Sequence, residues 1–183
     1  LIALICCLQG TIFIYEGEEL GLPEAAVPPE QIQDPWGKFL YPLWQGRDGC
    51  RTPMPWQGRK KHGGFSKSKP WLPVPVDHEV LAVDFQEQDK NAPLHFARRF
   101  LKWRKEHPVL LAGTIEFIDL YDDTLLGFKR ISGGGEILCL FNLSDREHTV
   151  PLRGGGNSFD AGALTGRAQG SVITLPPYGV YVA

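Results

Sequence analysis

From Glu16 to Ala92 the chain shows no sustained helical or alternating pattern. Yet this stretch holds four of the five tryptophans, Trp36, Trp44, Trp56 and Trp71, and is dense in proline and glycine. Connections inside compact domains usually run about four to six residues, and one this long is either disordered or functional. Disordered segments are poor in aromatics, which need a surface to pack on. The stretch therefore predicts an ordered, functional loop. One short helix at "PPEQIQ", with Pro29 in its first turn, interrupts it.

The flanking segments set the fold class. "LIALICCLQG" is apolar on every face, as a buried helix end is, and Gly10 offers a stop. "TIFIY", Thr11 to Tyr15, is β-branched and aromatic without alternation, which predicts a strand buried on both faces, as in a parallel sheet. Helix followed by buried parallel strand is half of a βα repeat. The sequence opens at Leu1 inside the apolar run, without an initiating methionine. The expectation is the tail of something longer, with apolar surface exposed where a partner would sit.

Downstream of the loop, "NAPLHFARRFLKWRKEHP" predicts an amphipathic surface helix capped by Asn91 and ended by Pro108. Leu94, Ala97, Phe100, Leu101 and Trp103 form its apolar face, and its basic residues cluster toward the C-terminal half. It is given no catalytic role. After Gly113 the pattern changes to short strands, "TIEFI", "LLGFKR", "EILCLFNLS", "HTVPL", "SVITL" and "GVYVA", separated by turn signals. Such spacing indicates an antiparallel sandwich or small barrel. The domain division falls near Ala112, giving 1–112 and 113–183.

Charge and cysteine usage remove several function classes. A formal net charge of -2 with mixed signs leaves no electrostatic footprint for nucleic acid, and the cluster Arg59, Lys60, Lys61 is too short to make one. Cys6, Cys7, Cys50 and Cys139 form no CxxC pair, so reduced thiols in a cytoplasmic protein are expected, with no metal site and no cofactor. The apolar run "LIALICCL" is about eight residues where a membrane span needs roughly twenty, so neither a membrane anchor nor a signal peptide is expected.

Two motifs could carry chemistry. In "YEGEELGL" the carboxylates Glu16, Glu18 and Glu19 follow the buried strand, at the end where barrel enzymes build active sites. Position alone does not separate a general acid from a loop anchor. In "GRDGCRTPMPW", Arg47, Asp48 and Arg51 are bracketed by Gly46, Gly49 and Pro53, which fix the backbone. An arginine fork held rigidly can bind a carboxylate or a row of hydroxyls. A sugar suits such a site, with Tyr15, Trp44 or Trp56 to stack on its ring; a structural ion pair within the loop is the alternative. Cys50 reads as a small packing residue, and His62, His78, His95, His107 and His148 lack metal-ligand spacing.

Taken together, these motifs resemble those of the exo-acting α-glucosidases of the alpha-amylase family, glycoside hydrolase family thirteen, in the group of oligo-1,6-glucosidase, dextran glucosidase and bacterial α-1,4-glucosidases. "GTIFIYEGEELGL" is similar to the family's eighth barrel strand and its continuation, "GRDGCRTPMPW" to its "GRDxxRTPMxW" loop, and "GGFSKSKPWLPV" to its "AGFSxxxPWLPV". "FARRFLKWRKEHPVLLAG" resembles its last barrel helix. The resemblance implies the end of a (β/α)8 TIM barrel followed by a small all-β antiparallel sandwich domain.

It also implies a retaining reaction on two carboxyl groups. The nucleophile, the acid/base and a further aspartate stand on upstream strands, so no catalytic residue falls in this sequence. Arg47, Asp48 and Arg51 are the substrate-binding candidates. By the resemblance Arg51 reaches the terminal glucose, Arg47 and Asp48 support the loop, and Glu18 and Glu19 are structural at the end of strand eight. The implied partner is a small oligosaccharide such as maltose. "GCRTPMPW" leans toward the α-1,4 side of the group. The alternatives are a sucrose isomerase or glucosyl-transferring relative, a transporter subunit that has lost the catalytic carboxylates, and a non-catalytic carbohydrate-binding fragment.

Overall fold

The opening apolar run folds as α1, Ile2–Cys7, with Ala3, Cys6 and Cys7 buried, in a computed structural model that describes residues 1–183. The segment behind it departs from expectation. Thr11 to Tyr15 forms no strand, and Phe13 is 84% exposed. A strand exists only through ladder hydrogen bonds to a neighbour, and no strand in the chain pairs with this one. The chain folds as two compact units, Leu1–Phe13 with Ala97–Ala183, and Ile14–Phe96. Ala112 is the last residue of the helical part, and the strands begin at Thr114.

Ile14–Phe96 contains no strand. Its elements are short: 3-10 turns at Glu18–Leu20, Pro29–Gln31, Asp48–Cys50 and Lys61–Gly64, and helices α2 at Pro35–Leu40, α3 at Val76–Glu79 and α4 at Val83–Gln86. Two small clusters hold it, Leu20 with Met54 and Leu94, and Val27 with Ile32 and Leu72. Without ladders, buried backbone groups must find side chains. Gln86, 5% exposed, does this three times: its Nε2 donates to Leu20 O and Leu81 O at 2.9 and 2.8 Å, and its Oε1 accepts from Leu94 N at 3.0 Å. That last bond serves the first turn of α5, Pro93–Lys105, the job expected of Asn91.

The periodic helix is thus present, with Leu94, Ala97 and Phe100 buried on its apolar face. Phe100 meets Phe159 edge to face at 4.7 Å and Trp103 at 5.7 Å. Pro108 does not merely stop α5; it opens α6, Pro108–Ala112, in the first-turn position that suits a residue without an amide hydrogen. No helix of the chain is long and apolar enough to cross a membrane.

Beyond Gly113 lie β1 (Thr114–Ile118), β2 (Leu125–Ser132), β3 (Gly135–Asn142), β4 (His148–Val150), β5 (Arg167–Gln169), β6 (Val172–Leu175) and β7 (Val180–Val182). They form two antiparallel sheets, ordered β1-β2-β3-β7 and β4-β6-β5. The run "ILCLFN" in β3 is buried at every position, because both faces are covered. Leu138 and Leu140 join Val150, Ile173, Leu175 and Tyr181 in a core shared by the two sheets. Cys139 and Phe141 alternate to the opposite face, where Phe141 stacks on Phe128.

Phe128's face also carries Arg130, which has no exposed surface. Its guanidinium has no carboxylate partner. Nη1 donates to Cys7 O, Leu8 O and Leu110 O at 2.7, 2.9 and 3.2 Å, Nη2 to Gly113 O at 2.6 Å, and Nε to Thr114 O at 3.3 Å. The carbonyls at the ends of α1 and α6 are those a helix leaves unpaired, and their dipoles favour a cation. Burial pulls the Arg130 pKa below its ordinary value.

Candidate functional site

Residues of both quoted motifs line one open cavity of about 500 Å³ within Ile14–Phe96. Tyr15 and Trp44, each about half exposed, supply aromatic faces, and Glu16, Glu24, Arg47 and Cys50 supply polar ones. Cys50 is exposed on this wall rather than packed, its Sγ donating to Arg47 O at 3.1 Å. Trp56 and Arg51 are not on the wall of this cavity.

The acidic turn is built by its own carboxylates. Gly17 takes φ 93°, a conformation that suits glycine, and the chain then winds into the 3-10 turn. Glu18 Oε2 accepts from Tyr15 N at 3.0 Å and Glu19 Oε2 from Gly17 N at 2.9 Å. Both side chains therefore brace the backbone that presents Tyr15.

The arginine loop is organised by a residue that sequence reading passed over, Asp34. Its carboxylate caps α2, with Oδ1 accepting from Trp36 N at 3.0 Å. Oδ2 accepts from Arg47 N at 3.1 Å and Arg47 Nε at 2.9 Å, and Arg51 Nη1 lies 3.9 Å from the same oxygen. The signal was present in the sequence: aspartate before proline is a helix N-cap followed by a first-turn proline.

Asp48 fixes Asp34 in turn. It is wholly buried, and its Oδ2 accepts from Gln33 N and Asp34 N. Asp48 thus has no exposed surface, and its hydrogen bonds run to the loop backbone. Arg47 is bound to Asp34 through Nε while its side chain stays half exposed on the cavity wall. Gly46 lets the loop close: at φ +79°, a Cβ there would come 2.9 Å from both Asp34 Cβ and Gly37 Cα. Arg51 differs from Arg47. Its side chain is 34% exposed, and its guanidinium has the 3.9 Å approach to Asp34 and no hydrogen bond. His78, 2% exposed, is structural: Nε2 donates to Pro23 O at 2.8 Å, leaving Nδ1 to accept from Thr52 Oγ1 at 3.2 Å.

The Arg47 hydrogen bond, more than any other contact, holds the Asp34 pKa down at about 2. A lowered carboxylate pKa stabilises the fold fully above the unfolded value, about 3.9, and progressively less as pH falls toward 2. Thermal unfolding followed from pH 5 to pH 2 is therefore expected to lose stability more steeply in the wild type than in Asp34→Asn; equal slopes would remove the linkage.

A second cluster looks catalytic and is not. His148 Nδ1 is 3.3 Å from Asp122 Oδ2 and its Nε2 is 3.1 Å from Ser144 Oγ. But the Ser144 hydroxyl donates to Asn142 Oδ1 at 2.8 Å, so its proton is not directed at the imidazole as a nucleophile requires. The cluster ties the β3–β4 turn.

Comparisons with known proteins agree with these motifs. The alpha-amylase catalytic-domain family model matches residues 1–113. A probable alpha-glucosidase of Rhizobium meliloti (strain 1021) is 47% identical over 152 residues, covering 83% of this chain and 27% of its own length. An oligo-1,6-glucosidase of Halalkalibacterium halodurans is 31% identical over 163 residues, 80% of this chain and 29% of its own. The chain thus spans less than a third of these curated relatives. Among solved structures, the alpha-glucosyl transfer enzyme XgtA superimposes on the whole chain with a TM-score of 0.92 at 42% identity, over 34% of its own length. A trehalulose synthase mutant, at 22% identity and TM-score 0.83, shares the fold.

Proposed function

This chain belongs to the alpha-amylase family, and on that premise we propose that it is the C-terminal part of a retaining α-glucosidase that releases terminal α-linked glucose from maltose or short oligosaccharides. Residues 1–112 are the end of its (β/α)8 barrel, with the long loop after strand eight, and 113–183 are its all-β sandwich domain. The enzyme works in the cytoplasm without a cofactor.

One observation carries the reading: a rigid arginine loop presents the Arg51 fork, one-third exposed, with no hydrogen bond inside the protein. A planar guanidinium so held can grip two neighbouring hydroxyls of a sugar. Arg51, beside this cavity and not on its wall, marks the terminal glucose, while Tyr15 and Trp44 on the wall offer ring faces for stacking. Glu18 and Glu19 brace this rim, as their bonds to Tyr15 N and Gly17 N support. The carboxyl pair that would do the double displacement lies outside this sequence, so the chain's part is to recognise and orient.

The test uses the longer enzyme that carries this chain. Maltose, isomaltose and sucrose are each incubated with it and the anomer first released is read by proton NMR. Glucose appearing as the α-anomer is the expected result; β-glucose first, or no glucose, overturns the reading. A glucosyl-transferring activity is the second reading, favoured by the similarity to the alpha-glucosyl transfer enzyme over the whole chain. It uses the same glycosyl-enzyme but passes glucose to a hydroxyl acceptor instead of water. Glucosides that outnumber free glucose when an alcohol acceptor is supplied would select it.

A further inference from the structure

We infer that Asp34 is a positioning residue for sugar recognition: its buried carboxylate holds Arg47 by hydrogen bonds and holds Arg51 by charge alone, aiming the Arg51 fork while leaving its donors free for substrate. The inference rests on the glucosidase reading for what the fork binds, and on the geometry for how the fork is held.

The two arginines share one oxygen, Asp34 Oδ2, but on different terms. Arg47 takes it in hydrogen bonds of 2.9 and 3.1 Å through Nε and the main-chain amide. Arg51 approaches it at 3.9 Å, outside hydrogen-bond range yet well inside the reach of Coulomb attraction. A direct bond would consume part of the fork. Attraction at this range restricts where the guanidinium sits and leaves every N–H available. The Asp34 side chain has no exposed area, so solvent does not screen it from its own side.

The carboxylate is itself immobile. Asp48 Oδ2 accepts from Asp34 N at 2.8 Å, Oδ1 of Asp34 is committed to Trp36 N, and Gly46 packs against Asp34 so closely that a Cβ would intrude. Charge, cap and backbone thus fix one point in space toward which both arginines reach. An ordinary helix cap needs only a hydroxyl; serine caps about as well as aspartate does. What the cap alone does not require is a negative charge, and the charge is what Arg51 meets.

The test separates those roles in the longer enzyme. Asp34→Asn keeps an acceptor for Trp36 N and replaces the shared oxygen by an NH₂ group, which donates where acceptance is needed. Asp34→Ser keeps the cap without charge and serves if the asparagine variant does not fold. With maltose, either variant is expected to lower kcat/KM about tenfold in a wild-type background and to change nothing further in an Arg51→Ala background. Losses that multiply in the Arg51→Ala background would overturn the inference, because Asp34 would then act independently of Arg51. Should the wild type cleave no α-glucoside, the glucosidase reading fails by itself and the positioning claim is decided by side-chain NMR of Arg51. A lower side-chain order parameter at Arg51 Nε in Asp34→Asn than in the wild type upholds it, and an unchanged order parameter overturns it.

Discussion

Arg51→Ala in the longer enzyme lowers kcat/KM on maltose by at least about 30-fold and leaves the melting temperature where it was. The size follows from losing a charged hydrogen bond to a sugar hydroxyl, about 2 kcal/mol, and each 1.36 kcal/mol is tenfold in rate. The unchanged stability follows from the structure: the Arg51 guanidinium makes no hydrogen bond within this chain and lies a third exposed, so its removal orphans no buried donor here. Arg51→Lys recovers little, because an ammonium cannot reproduce a planar fork. The split between the two readouts is the informative part. A variant that melts early and loses activity in proportion would make Arg51 a strut of the loop, and unchanged kinetics would remove it from the pocket altogether.

The largest expected loss of stability comes from a residue far from the arginine loop in sequence. Arg130→Met keeps much of the buried volume but removes the Arg130 donors from the carbonyls of Cys7, Leu8, Gly113 and Thr114, while Leu110 O keeps Arg104 Nη2 at 3.3 Å. An unsatisfied buried polar group costs about 1–3 kcal/mol. Relief from burying a cation offsets part of this, but the carbonyls outnumber the charge, and a net loss of about 3 kcal/mol or more is expected. For a chain of this size that lowers the melting temperature by about 6–12 °C. A melting temperature equal to or above the wild type would show that the buried charge, not the orphaned carbonyls, dominates.

What could be read from the sequence was whatever depends on near neighbours. The amphipathic helix at Pro93–Lys105 and strands such as Thr114–Ile118 declare themselves through periodicity and flanking turns. Thr11 to Tyr15 has the composition of a buried strand, but composition supplies no pairing partner, and the structure has none for it. Pro108 was legible as a helix breaker, whereas its use as the first residue of a new helix depends on the turn before it. β5, Arg167–Gln169, is exposed at each of its positions and has no apolar pattern to betray it.

The arginine motif was likewise legible as rigid and polar. Which arginine would be tied and which left free was not, because the choice is made by Asp34, thirteen residues before Arg47, and by Asp48 beneath it. Cys50 was misplaced for a related reason: small size suggests packing, but only the path of the loop decides which side faces out.

The carbonyls of Cys7 and Leu8 wait for a side chain 123 and 122 residues further along. A ribosome adding about 5–20 residues per second leaves them waiting roughly 6–25 s before Arg130 exists. Until then α1, which carries Cys6 and Cys7, lacks its capping cation. Once β2 docks, both are wholly buried, and burial pushes the Cys6 thiol up to about 11, where almost no thiolate forms at neutral pH.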